Sequence, residues 1–457
     1  MNKKLIALAV ASICAGAAHA DLTIGDDANS LSFYGTLDIG VGTTNHSLGV
    51  DPNSASGNSG LANNQPASTS NANVTVQNPT IVAPKVTANG PVTSLLPSNT
   101  TPSKWGFKGV RNLGDGNSAG FVLESQVNIN TGTNPNGRLS DSLPGAGTVV
   151  NKGEGSIDGQ MFDREASVWV KNDQYGMAKF GRMTTVLGDT MGNYDPMNVG
   201  YAVSPLGFNG GWGAGAYTGD SRWDNSVKWM NNWGALQVAA GYKFGGFQDA
   251  YTMGSAESFK IGYETPKFGV SFAAQSTMDT MLAGNGGTSY PSLALTVADS
   301  FAAGIFGRFN VNDDVVLKGG FEKIHLTSPS NAQDINLSNI PQLSGLPVTK
   351  VTAYAPAGGY QDQQLIWLGV NYNATAKSTV SIGIYDRQDS FGNGTTNTVN
   401  YYSAKYEYKW EKNTTLYVTG VISQVSGDIN STSSWVTTSG TLVPDMITYT
   451  AGIVYKF

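Results

Sequence analysis

Cysteine is all but missing from this chain. The single one, Cys14, lies within the first twenty residues, so the rest cannot be a disulfide scaffold and carries no thiol chemistry. Histidine is nearly as scarce. Past residue 20 only His46 and His325 remain, both expected as solvated side chains in or beside loops. Two isolated histidines without cysteine give no metal-ligand spacing and no complete triad. Gly219-Asp220-Ser221 resembles an esterase nucleophile turn, but nothing nearby completes it. Gly210 to Gly215 lacks the Gly-Lys-Ser/Thr end of a phosphate loop and reads as a loop tip. No catalysis, metal or cofactor is therefore expected. An excess of positive charge is absent too. Without Lys3 and Lys4 the 27 basic residues fall to 25 against 33 acidic ones, and the formal charge moves from −6 to −8. That balance argues against a nucleic-acid partner. After residue 20 no run of about 18 apolar residues occurs, so no membrane-spanning helix is expected.

What is present begins with a leader. Lys3 and Lys4 precede the apolar stretch Leu5 to Ala17, and Ala18-His19-Ala20 fits a small-x-small cleavage site. Residues 1–20 read as a signal peptide cut before Asp21, which leaves 21–457 as the exported protein. Ile13 stands where a lipidation site at Cys14 would need a small residue. The 57 glycines and 10% aromatic content suit an all-β chain.

The rest is written in twos. From Ile447 to Phe457, Ile447, Tyr449, Ala451, Ile453, Tyr455 and Phe457 alternate with Thr448, Thr450, Gly452, Val454 and Lys456. A strand sends successive side chains to opposite faces, so one face is apolar and aromatic-ended, the other small or polar. The pattern recurs. Leu31 to Val41 sets Leu31, Phe33, Leu37, Ile39 and Val41 against Ser32, Tyr34, Thr36 and Asp38. Strands are expected over 103–111, 119–131, 162–171, 177–185, 221–232 and 236–244, with Phe259, Ile261 and Tyr263 opposing Lys260 and Glu264. Tyr402, Tyr406 and Trp410 likewise oppose Lys405, Glu407 and Lys409. Full charges on the second face point to water there. Connections alternate between tight turns near 173–176, 266–269 and 411–414 and long excursions at 46–102, 132–160, 186–220, 327–361 and 428–444. About sixteen strands of this kind imply a closed barrel with lipid outside and water inside. The excursion 46–102, rich in Asn, Ser, Thr and Pro with only Asp51 and Lys85 charged, is expected as a long exposed surface loop.

The stretch after 161 differs. The loop 186–220 holds Asp189, Asp195 and Asp220 and no Lys or Arg, while Arg222 and Lys228 follow on the next strand. Folded into the lumen, such a loop would set carboxylates against a basic wall, a transverse field that narrows and selects. An ordinary outer loop with solvated acids fits the charge pattern equally well.

SKWGFKGVRNLGDG at 103–116, LES at 123–125, FDREASVWV at 162–170, KFGR at 179–182, SRWDNSVKW at 221–229 and the terminal strand ending in Phe457 resemble the general porin family of Gram-negative β-proteobacteria. The resemblance implies an all-β fold: a sixteen-stranded antiparallel transmembrane β-barrel with an inward-folded third loop, assembled as a homotrimer in the outer membrane among lipid and lipopolysaccharide. It also implies passive diffusion of ions and small hydrophilic solutes. By position, Lys104, Arg164, Arg182 and Arg222 match the basic cluster of the constriction, and Glu124 and Asp195 fall at acidic positions facing it. Asp189 joins them from the loop. Lys104 stands where the family has arginine, which keeps the charge and loses the planar fork. Strict alternation puts Arg164 on the side of Val168 and Val170, so an inward Arg164 requires a bulge or a strand start near Glu165. The basic cluster predicts a mild anion preference despite the acidic chain. Two other readings compete: a barrel serving as a surface adhesin, with 46–102 as its working part, and a soluble secreted β-sandwich that binds glycans.

Overall fold

An alternating strand with one apolar face needs partners on both edges, and here every long strand has them. The computed structural model describes residues 21–26, 28–45, 91–130, 132, 161–208, 222–245, 252, 254–285, 293–328, 348–353, 360–392, 394, 396–427 and 445–457. The chain opens with β1 (Asp21–Gly25), β2 (Asn29–Asn45), β3 (Val92–Pro97), β4 (Lys104–Gly114), β5 (Asn117–Gln126), β6 (Glu165–Asn172) and β7 (Gly176–Thr184). Helix α1 (Val186–Asn193) and a single turn, α2 (Pro205–Phe208), come before β8 (Arg222–Trp233). There follow β9 (Leu236–Lys243), β10 (Ala256–Glu264), β11 (Phe268–Asn285), β12 (Leu293–Asn310) and β13 (Val315–Thr327). The last group is β14 (Val348–Ala353), β15 (Tyr360–Thr375), β16 (Ser378–Phe391), β17 (Thr396–Glu411), β18 (Thr414–Gly427) and β19 (Asp445–Lys456).

Sixteen of these close a ring: β2, β4 to β13 and β15 to β19, each antiparallel to the next. The seam is β19 on β2, paired from Ile447–Asn45 to Lys456–Thr36. Phe457 continues the seam by exchanging two backbone hydrogen bonds with Gly35 (2.8 and 3.1 Å). Its ring fills the space where a Cβ on Gly35 would stand, 2.2 Å from the nearest ring atom. Of the three short strands, β1 pairs with residues 30–34 of β2 and β3 with residues 39–44, whereas β14 lies parallel to residues 293–297 of β12. Closure leaves no second sheet to pack on, which excludes the sandwich.

The two faces separate sharply. On β15 Trp367 is 2% exposed and its neighbour Leu368 is 64% exposed. Val168, Ile261, Phe301, Ile384 and Val418 are all exposed on the outer face, an apolar band of the kind lipid requires. On β17, Ser403 and Lys405 are buried between exposed Tyr402 and Tyr406, as the alternation predicts. The tight turns form where expected. Between β4 and β5, Gly114, Asp115 and Gly116 all take positive φ, the left-handed region that two of these three residues enter without a side-chain penalty.

Several expectations are corrected. Strand β2 runs beyond 31–41 in both directions. Strand β5 stops at Gln126 instead of 131, because the Gln126 amide donates to the Asp163 carboxylate (2.7 Å) rather than to a strand neighbour. The excursion 327–361 contains β14. The supposed exposed loop 46–102 ends in structure: β3 is a strand, and Ser98, Asn99, Thr100 and Ser103 are buried inside the barrel. The cause is Asp38, whose carboxylate accepts from Thr100 N (2.6 Å), Thr100 Oγ1 (2.9 Å) and Thr101 N (2.9 Å). His325 lies near the end of β13, its side chain partly exposed, with Nδ1 2.9 Å from the Asp362 carboxylate. His46 and the stretches 46–90, 133–160, 209–221 and 428–444 fall outside the described residues, and with them Asp220, the 219–221 turn and Gly210 to Gly215.

The inner wall is also less uniformly polar than the sequence suggested. Phe306, Ile324, Leu365, Trp367, Tyr385 and Tyr401 turn inward on β12 to β17 and are buried. They form one apolar cluster with Leu187, Met191, Tyr194, Met197, Val203 and Leu206. The segment between β7 and β8 therefore lies inside the barrel, on a dry patch of its far wall.

Candidate functional site

The inward segment begins with a capped helix. Thr185 is in extended conformation and its hydroxyl accepts the Gly188 amide (3.0 Å), satisfying one of the free N–H groups that open α1. Val186, Leu187, Thr190 and Met191 share the buried face. Asp189 points the other way and meets Lys228 of β8 at 2.6 Å, whose ammonium also donates to Thr184 O (2.8 Å).

Beyond the helix the chain turns onto the far wall. Trp367 Nε1 donates to Tyr194 O (3.0 Å) and Asn371 Nδ2 to Pro196 O (2.7 Å). Pro196 sits over Gly369 and Gly383; a Cβ on Gly369 would stand 2.5 Å from the proline ring. The Tyr385 hydroxyl donates to Asp195 Oδ1 (2.5 Å), and the same carboxylate accepts the Met197 and Val199 amides (3.1 and 2.6 Å). Tyr194 donates its hydroxyl to Glu264, which Arg308 holds from the other side at 2.8 Å. Burial first, then the Glu264 carboxylate, raises the pKa of the Tyr194 phenol and keeps it a donor. Past this elbow the segment reaches the stretch after β3 and the end of β5, where the Ala202 amide donates to Asn99 O (2.9 Å) and the Tyr201 hydroxyl to Gln126 Oε1 (3.4 Å).

On the wall formed by β4 to β8 stand the charges. Glu124 on β5 is the common partner of three groups. Arg164 Nε donates to Oε1 at 2.7 Å, while Lys104 Nζ and the Tyr34 hydroxyl both reach Oε2 at 2.9 Å. Arg164 gets there because β6 starts one residue later, at Glu165, and its own amide bonds Glu124 O (3.1 Å). The required strand start is thus present. Arg222 opens β8 opposite Thr184, buried and within electrostatic reach of Lys104.

Arg182 joins by a different device. Phe180 faces lipid, so regular alternation would send Arg182 outward too. The ladder slips between Gly181 and Met183, with Asp224 and Asn225 of β8 opposed to Arg182 alone. On the partner strand Gly181 has φ +118°, and a Cβ there would lie 2.3 Å from Ala166 O, so the backbone that turns Arg182 inward needs glycine. Arg182 is then buried, donating to Asp163 O (2.7 Å) and pairing with Asp224 (2.8 Å).

Lys104, Arg164, Glu124 and Arg222 therefore come together, with Arg182 beside them through the neighbouring Asp163. Asp189 engages Lys228, a residue that the sequence places on the inward parity of β8. Asp195 is the correction. It is fully buried against Tyr385 on the opposite wall, and its partners belong to the loop's anchorage, not to the basic cluster. Its position within the loop gave its distance along the chain but not the side to which the elbow turns. Asp224 on β8 also belongs to this wall, and the Tyr34 hydroxyl reaches it from β2; only the register brings them in.

Comparison with known proteins bears on what this arrangement does. The family model described as Gram-negative porin matches residues 7–428. The chain is 26% identical over 245 residues to an outer membrane porin protein of Bordetella pertussis, covering 53% of this chain and 48% of that relative. The match thus spans about half the length of that relative. Among solved structures it resembles an anion-selective porin from Comamonas acidovorans, with TM-score 0.59 and 15% identity over 94% of this chain and 100% of the other. It also resembles the trimer form of OmpT, an outer membrane protein of Vibrio cholerae, with TM-score 0.53 and 13% identity over 94% and 100%. At such identities these two likenesses concern the fold.

Proposed function

The chain belongs to the Gram-negative porin family of the outer membrane, and from that premise we propose that it forms a water-filled channel for passive diffusion of ions and small hydrophilic solutes, mildly selective for anions. The narrowest passage lies between the inward segment and the wall of β4 to β8. It is lined by Lys104, Arg164, Arg182 and Arg222, with Glu124 and Asp189 as the acidic members. Asp195 serves to hold the segment in place.

The observation that carries the anion preference is the sharing of one carboxylate, Glu124, by two cations, Lys104 and Arg164, with Arg222 adding charge beside them. Two positive charges against one negative leave a net positive field where a permeating ion must pass. The chain as a whole is acidic, at −6, but charges beyond about 8 Å are largely screened at physiological ionic strength. Passage down a gradient needs no cofactor and no reacting group, and the family is one of channels rather than enzymes. The homotrimer is supported by likeness in fold to OmpT, an outer membrane protein of Vibrio cholerae solved in trimer form. The exposed apolar band is the surface that lipid and lipopolysaccharide would meet. Residues 1–20 act as the cleaved export signal, and 21–457 form the barrel unit.

The test is single-channel current of the purified protein in a planar bilayer under a salt gradient. Steps in groups of three with an anion-directed reversal potential are expected. Replacing Arg164 and Arg222 together by Ala moves that potential toward cations. A folded, detergent-extracted barrel that passes no current would remove the channel reading and leave the surface-adhesin reading in front.

A further inference from the structure

The inward segment is pinned at its far end by a part of the chain that sequence placed outside the barrel. After β3 the backbone does not return directly to β4. Ser98 takes positive φ (61°), and residues 98–103 curl inside against β2. Asp38 organises this curl. Besides the three donors from Thr100 and Thr101, its Oδ1 accepts the Tyr417 hydroxyl at 2.7 Å, and its carbonyl accepts the Ser98 amide at 2.8 Å. Tyr417 crosses from β18 over Gly40 and Gly452, where a Cβ would stand 2.7 and 2.3 Å from its hydroxyl. The same hydroxyl receives Asn99 Nδ2 (2.8 Å), which also donates to Leu96 O (2.6 Å). Asp38, Asn99, Thr100 and Tyr417 are buried, and Asn99 O accepts the Ala202 amide of the inward segment (2.9 Å). Gly200 rests on this contact with no room to spare; its Cβ would meet Asn99 O at 2.9 Å and Thr100 O at 3.0 Å.

We infer that Asp38, Asn99 and Tyr417 are positioning residues for the permeation pathway, a latch that holds the tip of the inward segment and so fixes the width of the passage. The inference rests on the channel reading above but concerns where the segment is held, not whether ions pass. The segment is then a beam with three supports: α1 on Lys228, the elbow on Tyr385 and Trp367, and the tip on the latch. Removing the third leaves residues 199–206 held chiefly by the apolar cluster that Val203 and Leu206 join, and so freer to move, while the ring of sixteen strands, which pairs without them, stays closed. A carboxylate with four donors is the strongest hydrogen-bonded centre of the latch, because charge-assisted bonds are roughly twice as strong as neutral ones.

The experiment uses the full protein carrying Val203→Cys as a reporter; Cys14, in the leader, is the chain's only other cysteine. Val203 is fully buried at the tip, so a water-soluble maleimide labels it slowly in the parent. Asp38→Asn and, separately, Gly200→Ala are expected to speed labelling about tenfold, the scale on which loss of a buried charged hydrogen-bond centre promotes local opening. Both variants should also show larger current fluctuations in the open channel. Thr43→Ala, which removes the exposed Thr43–Thr93 bond between β2 and β3 (2.8 Å), should change neither readout. Gly200→Ala leaves every buried polar group in place, so it carries the test if Asp38→Asn does not assemble. Folded barrels of both variants with unchanged labelling and unchanged current would overturn the latch. Faster labelling in a protein that conducts no ions would support the latch and sink the channel reading instead.

Discussion

Glu124 accepts hydrogen bonds from Lys104, Arg164 and Tyr34 at once, so its charge sets the balance of the basic wall. Replacing Glu124 by Gln keeps the shape and removes the charge. The wall then carries its cations uncompensated, and the reversal potential in a salt gradient should move further toward anions. A unit charge about 4 Å from an ion in water is worth about 1 kcal/mol, or roughly a fivefold change in local ion concentration, which bounds the effect. A shift toward cations would mean that Lys104 and Arg164 leave the passage once Glu124 lets them go. Residue by residue, the site was legible to the extent that parity rules. Lys104 and Glu124 lie on inward faces that alternation alone identifies. Arg164 could be stated only as a condition, a strand start at Glu165, and the structure meets it. Arg182 required a bulge beside Gly181, and a lone glycine between Phe180 and Arg182 does not announce positive φ. Family position sets Asp195 against the basic cluster, but the elbow turns it to Tyr385 on the other wall, and nothing in its neighbours says which wall the elbow meets.

At the scale of elements the inward segment behaves as a ligand of its own barrel. Its elbow is held by a buried acid, Asp195, that takes one side-chain donor from the wall, the Tyr385 hydroxyl, and two amides from its own turn. Tyr385→Phe takes away the wall's donor and leaves the acid buried with its local amides only. Leaving a charged partner short of a hydrogen bond costs on the order of 1.5–3 kcal/mol, and here that cost falls on docking of the segment, not on strand pairing. The expected result is a barrel of unchanged thermal stability in which residues 194–198 exchange amide hydrogens faster. A fall in barrel stability with no change in local exchange would show that Tyr385 supports the sheet itself. The apolar floor beneath the elbow was partly legible. Leu365 to Val370 is apolar without a break apart from Gly369, the mark of a strand covered on both faces. An outer face against lipid accounts for only half of it. The end of the first long excursion was not legible, because Ser98 to Ser103 is polar and turn-like, and its burial depends on Asp38, about sixty positions earlier in the chain.

For the whole molecule the question is how a chain with a surplus of acid can set a basic wall beside its lumen. Closure answers it by geometry. The ring puts the apolar band outside and, within the lumen, the inner wall and the inward segment. If the preference for anions arises from Lys104, Arg164 and Arg222 acting across the passage, it must depend on ionic strength. The screening length is about 30 Å at 0.01 M, wider than the influence of any single side chain, and about 3 Å at 1 M. At low salt the ion samples the summed field of wall, loop and rim; at high salt it senses only the groups it passes. The ratio of anion to cation permeability, taken from reversal potentials at a fixed gradient ratio, should therefore fall as the mean concentration rises to 0.1 M and then 1 M, but remain above unity. In the Arg164→Ala, Arg222→Ala double variant the curve should lie lower throughout and reach unity at high salt. A preference that stays the same from 0.01 M to 1 M would place its origin outside the basic wall, in size exclusion by the inward segment, where screening has no effect.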